Sequence, residues 1–327
     1  MDTGTHLVVG LGLAGLAYVD PAVASDPALA TAVLIGTVLG SQAPDSDGLL
    51  RFRSNAAYIR NHRGKSHSLP AVAIWTVLIT LVLAVLFRGV SVVHLGLWVF
   101  IAVALHVFSD LFNTYGTQAF RPITDKWISW NIIHIFDPII FSTHLIAIFL
   151  WSVRLAPPAQ LFLTLYGLLA IYYAWRTLVH ANVSARLKLQ DPHYQPDHTY
   201  ILIPTIHLYV WNVVKRTKPD HYTIGEFRGG KLRWVDQVRC EQHPAIDASK
   251  EHPDVQAFLY FTSTACAEAK EHSWGYEVRW TDVRYRHRKQ YPFVAVVLMD
   301  KQFRPIDSYV GWRSEGRVEK KLKISTY

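Results

Sequence analysis

NHRGKSHSLPAVAIWTVLITLVLAVLFRGVSVVHLGLWVFIAVALHVFSDL, residues 61–111, is the stretch that decides the fold class. It holds two apolar runs, residues 69–87 and 90–111, each close to 20 residues long and joined by Arg88-Gly89. A helix rises about 1.5 Å per residue, so each run reaches the roughly 30 Å needed to cross a bilayer's hydrocarbon core. Both are bounded by histidine and aspartate. The first follows His62 and His67, and the second ends on His106 and Asp110. Ionisable residues beside a membrane segment are costly to place, which makes them functional candidates.

Further apolar runs extend the pattern. Residues 6–19 and 28–40 are rich in Gly and Ala and separated by Asp20-Pro21 and Asp26-Pro27, with Pro27 suited to open a helix. At about 1.5 Å per residue they span only about 20 Å. Residues 139–153 and 161–179 follow, so six membrane segments are expected in all. Charge is scarce here: before residue 182 the chain has 10 Lys and Arg, 8 Asp and no Glu. The remainder carries +6 of the formal net charge of +8. Short β-branched and aromatic runs (200–203, 276–280, 293–298) alternate there with turn signals such as Arg228-Gly229-Gly230-Lys231. The expected fold is therefore mainly α: a polytopic helical membrane domain over 1–182 and a soluble β-rich domain over 190–327. Two cysteines, Cys240 and Cys266, are too few for a disulfide framework and read as ordinary reduced thiols. No basic stretch precedes the first apolar run, so a removed signal peptide is not expected.

With six segments in order, one side receives the loops 41–68 and 112–138 and everything after 180. Those loops carry Arg51, Arg53, Arg60, Arg63, Lys65, Arg121 and Lys126, against Arg88 and Arg154 opposite. The positive-inside rule then makes this side, with the C-terminal domain, cytoplasmic. The same topology brings His6, Asp45, Asp47, His62, His67, His106 and Asp110 to that one face. His106 and Asp110, four apart, share a helix face. His62 and His67 flank Gly64, which lets a loop turn both inward. Asp45 and Asp47 alternate in an extended or irregular segment, where one Asp can bridge two metals.

Imidazoles mixed with carboxylates suit zinc, manganese or iron better than calcium, and seven candidates suggest two or three ions. Such a centre activates water and clamps a phosphoester. Arg63 and Lys65 would face the phosphate, or else serve as positive-inside anchors. Asp47, Arg63 and Lys65 are the residues expected to take part in catalysis. Ser66 and Ser68 are expected to cap a helix or orient ligands. Asp137, before Pro138, fits a helix start as well as it fits a ligand, and His94, His134, His144 and His180 are expected to be packed or interfacial.

Thr5-His6, Pro44-Asp45-Ser46-Asp47, residues 62–68 (HRGKSHS), and His106-Val107-Phe108-Ser109-Asp110 followed by Asn113-Thr114-Tyr115-Gly116 resemble the YdjM- or YbcI-like membrane-bound metal-dependent hydrolases, also described as LexA-binding inner-membrane-associated proteins. The likeness covers roughly residues 1–180, and the soluble tail is similar to that of YfhP-type members. The family's ligand pattern is in turn similar to that of zinc-dependent phospholipase C and P1-type nucleases. By that likeness His6, one or both of Asp45 and Asp47, His62 or His67, His106 and Asp110 would bind metal. The expected activity is hydrolysis of a phosphoester, such as a phospholipid or lipid-linked phosphate, by metal-activated water. The alternative is a membrane-tethered regulator whose basic C-terminal domain binds nucleic acid or a protein partner.

Overall fold

A computed structural model describes residues 1–286, 289–313 and 315–322. The last five positions of the expected 190–327 domain lie outside these. The described residues form two compact units, one of residues 1–47, 62–182 and 204–208, the other of 48–61, 183–203 and 209–327.

The first unit is helical: α1 (Thr3–Leu16), α2 (Pro21–Ser25), α3 (Pro27–Gln42), then, after a helix α4 (Asn55–Asn61) that belongs to the second unit, α5 (Leu69–Leu86), α6 (Val92–Asp110), α7 (Pro138–Ser152) and the start of α8 (Pro158–Gln190). Aspartates begin many of these helices. Asp2, Asp20, Asp26 and Asp137 are N-caps whose carboxylates accept from first-turn N–H groups, and Pro21, Pro27 and Pro138 follow three of them. Asp137 also accepts from the Tyr172 hydroxyl, so its role is structural. Small residues let α1, α3 and α6 pack closely. A Cβ on Gly10 would come 2.9 Å from the Thr37 carbonyl, and one on Gly40 would press on Ala102 and Val103.

Four helices among the described residues are long and apolar enough to cross a membrane: Pro27–Phe52, Leu69–Leu86, Val92–Asp110 and Pro158–Gln190. The other two expected segments, Thr3–Val19 and Pro138–Ser152, are shorter apolar helices, so length and composition support four of the expected six. The first of these has another use for its apolar residues, since most of α1 is buried inside the unit. On α5 and α8 the large side chains instead face outward, among them Leu81, Val85, Leu86, Leu168, Ile171 and Leu178. An apolar exterior of this extent suits lipid rather than water.

The second unit holds two antiparallel sheets, β1 (Thr199–Pro204), β2 (Val210–Lys218), β3 (His221–Arg228) and β4 (Lys231–Arg239) in that order, then β5 (Ala265–His272), β6 (Gly275–Asp282), β7 (Phe293–Asp300) and β8 (Pro305–Trp312). Helices α9 (Pro244–Ser249) and α10 (Pro253–Phe261) lie between the sheets in sequence, and α11 (Glu315–Leu322) closes the described chain. Arg228 pairs with Lys231 across Gly229 and Gly230, both at positive φ, the signature of a tight type I′ hairpin. Strand β7 is buried along nearly its whole length, which explains its unbroken FVAVVLM.

Cys240 and Cys266 form a disulfide, with their Cα atoms 5.0 Å apart, where reduced thiols were expected. The end of β4 and the strand β5 bring them together, a pairing that a spacing of 26 residues does not announce.

Asp191 and Lys215 make a buried ion pair of 2.6 Å, with the Tyr200 hydroxyl also donating to Asp191. Burial pushes the Asp191 carboxyl up, but hydrogen bonds from Lys215, Tyr200 and the His193 N–H outweigh it and hold it below the usual range. Its contribution to stability is therefore full above about pH 3.9 and is lost as pH falls through the depressed value. Replacing Lys215 by Met strands the carboxylate and is expected to cost about 3–5 kcal/mol in chemical denaturation at pH 7. An effect below about 1 kcal/mol, the range of an exposed pair, would contradict this assignment.

Candidate metal centre

Four side chains from distant parts of the sequence converge in the first unit. Asp45, His67, His106 and Asp110 each offer one ligand atom, and the four atoms lie within 4.8 Å of one another. His106 and Asp110 come from the last turn of α6. His67 ends a short 3-10 turn, Lys65–His67, that α5 continues, and Asp45 lies in the irregular 3-10 stretch Ala43–Phe52 after α3. Ser68 caps α5 by accepting from Ala71 N–H, which fixes where His67 sits.

The proton positions follow from the surroundings. His106 Nδ1 lies 2.6 Å from the Ser41 carbonyl, which only accepts, so Nδ1 carries the hydrogen and Nε2 a lone pair. The Ser66 hydroxyl donates to Asp47 Oδ2 at 2.8 Å and so accepts from His67 Nδ1 at 2.9 Å. The His67 Nε2 therefore also carries a lone pair. These two Nε2 atoms face each other at 3.2 Å. Asp45 Oδ1 lies 3.6 and 3.7 Å from them, and Asp110 Oδ2 3.4 and 3.7 Å. Both oxygens are buried and have no hydrogen-bond donor among the described residues. Two imidazole lone pairs and two carboxyl oxygens thus face one another.

A zinc ion bound tetrahedrally at about 2.0–2.2 Å would set its ligand atoms about 3.3–3.6 Å apart. Five of the six separations, at 3.2–3.7 Å, lie close to this and the sixth, between Asp45 and Asp110, is within 4.8 Å, so the residues present fit such an ion. Burial drives the His67 pKa well below the usual value, and the charges of His106 and Arg63 add to this, leaving the imidazole neutral and ready to ligate.

The other expected ligands surround this group. Asp45, Asp47 and His62 form a second group of ligand size that shares Asp45. Within it Asp47 already accepts from His62 at 3.0 Å, from the Arg63 N–H at 2.9 Å and from Ser66, so it mainly orients its neighbours. His6 stacks on His106 with ring centroids 3.7 Å apart, and its Nε2 lies 3.4 Å from Asp110 Oδ1. It borders the centre but falls outside both groups.

Arg63, expected to face a phosphate, is instead buried, with its guanidinium on Asp110 at 3.1 Å, Asn113 Oδ1 at 2.9 Å and the Met1 carbonyl at 3.0 Å. Lys65 is exposed. His94 pairs with Asp20 at 2.6 Å, away from the centre. Sequence reasoning missed the supports of the site: the Ser41 carbonyl, the Met1 amino group paired with Asp110, and Asn113, which accepts from Arg63 and the N–H groups of Tyr115 and Gly116 while donating to Asp110. Only Asn113 had a signal, as the first residue of the Asn-Thr-Tyr-Gly motif.

Residues 1–183, which carry every one of these side chains, match the family model described as YdjM inner membrane protein. The chain belongs to the YdjM inner membrane protein family. Residues 244–322 match a second model, the YfhP C-terminal alpha/beta plait domain, which covers α9 to α11 and the second sheet. The chain is also 41% identical over 330 residues to "Uncharacterized protein YfhP" of Bacillus subtilis (strain 168), covering 100% of both chains. No solved structure matches it. In this YdjM-family chain the helical region that matches the family model and the buried His and Asp cluster are one and the same unit.

Proposed function

We propose that this YdjM-family protein is a membrane-integrated, metal-dependent hydrolase of phosphoesters, with zinc favoured over manganese or iron and a lipid phosphate as substrate. The observation that supports this most is the convergence of four ligand atoms, two imidazole nitrogens and two carboxyl oxygens, within 4.8 Å of one another. An ion held by Asp45, His67, His106 and Asp110 would have its tetrahedral shell filled by protein, so the water-activating ion would be held by the three-ligand group of Asp45, Asp47 and His62, which leaves a position open. The chain's own residues supply the rest. Asp47 and Ser66 hold His67 in its ligating tautomer, the Ser41 carbonyl does the same for His106, and Arg63 offsets the charge of Asp110. Exposed Lys65 offers a cation to an incoming phosphate, and the group sharing Asp45 offers room for a second ion. The test is elemental analysis of detergent-purified protein, then a screen of soluble and lipid phosphoesters with and without chelator. Chelator-sensitive turnover supports the reading; stoichiometric metal with no turnover of any phosphoester counts against it.

The basic loops favour a cytoplasmic centre and C-terminal unit. In that reducing compartment Cys240 and Cys266 are expected as a dithiol in rapidly quenched cells and as a disulfide after aerobic purification. An intact bridge in quenched cells would point to the opposite orientation. Nucleic-acid binding draws little support, because Lys215, Arg279, Arg284 and Arg286 are paired with carboxylates of their own unit.

A further inference from the structure

A cavity of about 350 Å³ lies beside the metal centre, between α1, α6, α7 and α8. Met1 and Ser109 border it at the level of Asp110, and Val9, Leu105 and Leu169 line it towards the bilayer interior. From Phe112 to Leu105 it follows α6 for about two turns, or about 10 Å. Phe108 and Ala170, both exposed, mark a mouth between α6 and α8. Its wall is mostly apolar, and Ser109, Tyr166, Tyr173 and His144 are the polar residues among its lining. His144, fully buried, lines the cavity and donates from Nδ1 to the Ile140 carbonyl at 2.7 Å. In the neutral ring Nε2 is then an acceptor, and it has no hydrogen-bond partner among the described residues. A buried acceptor left unpaired is costly, so its retention calls for an explanation.

We infer that this cavity holds the acyl chain of a single-chain glycerophospholipid whose phosphate lies at the metal centre. The volume is at the small end of ligand pockets, about 300–1,000 Å³, and suits one chain rather than two. The unpaired His144 Nε2 suits a lipid with one free glycerol hydroxyl, a donor that prenyl phosphates lack. Met1, whose amino group pairs with Asp110, and Ser109 border the cavity on the side of the centre, where the phosphate would lie. This inference rests on the phosphoesterase reading for its substrate, but its test does not require turnover.

The probe is a lysophosphatidic acid with a diazirine at the end of its acyl chain, photolysed with the full-length protein in phosphatidylcholine nanodiscs. Labelling is expected on the Leu105, Tyr166 and Leu169 segments. Ala170→Trp, which fills the mouth, is expected to cut it about tenfold with metal content unchanged. The 2-O-methyl analogue is expected to label wild type several-fold less than the parent probe, and His144→Phe is expected to erase that difference. Labelling confined to the outer face of α5, or unchanged in both Ala170→Trp and Leu105→Trp, overturns the inference. So does stronger competition by diacyl phosphatidic acid or by farnesyl phosphate than by the unlabelled lyso form. Labelling as expected without phosphoester turnover would keep the pocket and reject the hydrolase reading.

Discussion

His67→Ala and His106→Ala are each expected to abolish bound metal and to lower any phosphoester turnover to the background of the chelated enzyme. Each substitution removes one of four converging acceptors, and the survivors belong to a centre already short of donors. The supporting residues should behave differently. Ser66→Ala leaves the imidazole of His67 in place but frees its tautomer, and loss of such a partner typically costs 10–100-fold in metal affinity or activity. His94→Ala, which removes the partner of Asp20 while Trp98 still donates to that carboxylate, should retain full metal content. Equal metal loss in His94→Ala and His106→Ala would mean that folding was being measured instead of ligation.

The second large effect is expected at Arg63. Its guanidinium is 2% exposed and joins Asp110, Asn113 and the Met1 carbonyl. Arg63→Met removes this junction and leaves buried acceptors behind, for an expected loss of about 3–5 kcal/mol. The backbone allows a finer test, because Arg63 sits at φ 58°, where a non-glycine residue is strained. Arg63→Gly relieves that strain, worth roughly 1 kcal/mol, but leaves empty the buried volume that Met fills, so it should be no less damaging than Arg63→Met. Thermal unfolding in a fixed detergent and metal concentration reads both. If Arg63→Met unfolds within about 0.5 kcal/mol of wild type, the guanidinium does not support the centre.

Much of this site was legible in the sequence because its ligands sit where apolar runs end. The positions of His67, His106, Asp45 and Asp110 follow from segment order alone, since alternate segment ends share one face. The layer behind them was hidden for a physical reason: a backbone carbonyl such as that of Ser41 has no sequence signature, and nothing in the spacing of Arg63 distinguishes a buried cation from a phosphate-facing one. Most of α1 is buried among protein helices, so its apolar composition did not by itself say whether it faces lipid. In the second unit the turn at Gly229-Gly230 and the buried run of β7 were readable, whereas the Cys240–Cys266 pair depended on how β4 and β5 come together.

Zinc-edge X-ray absorption on the full-length protein, purified without chelator and reloaded with zinc, addresses the centre most directly. Two nitrogen and two oxygen neighbours at about 2.0–2.2 Å are expected, with both nitrogen contributions tied to His67 and His106. A first shell of water oxygens alone, unchanged in His67→Ala and His106→Ala, would contradict it.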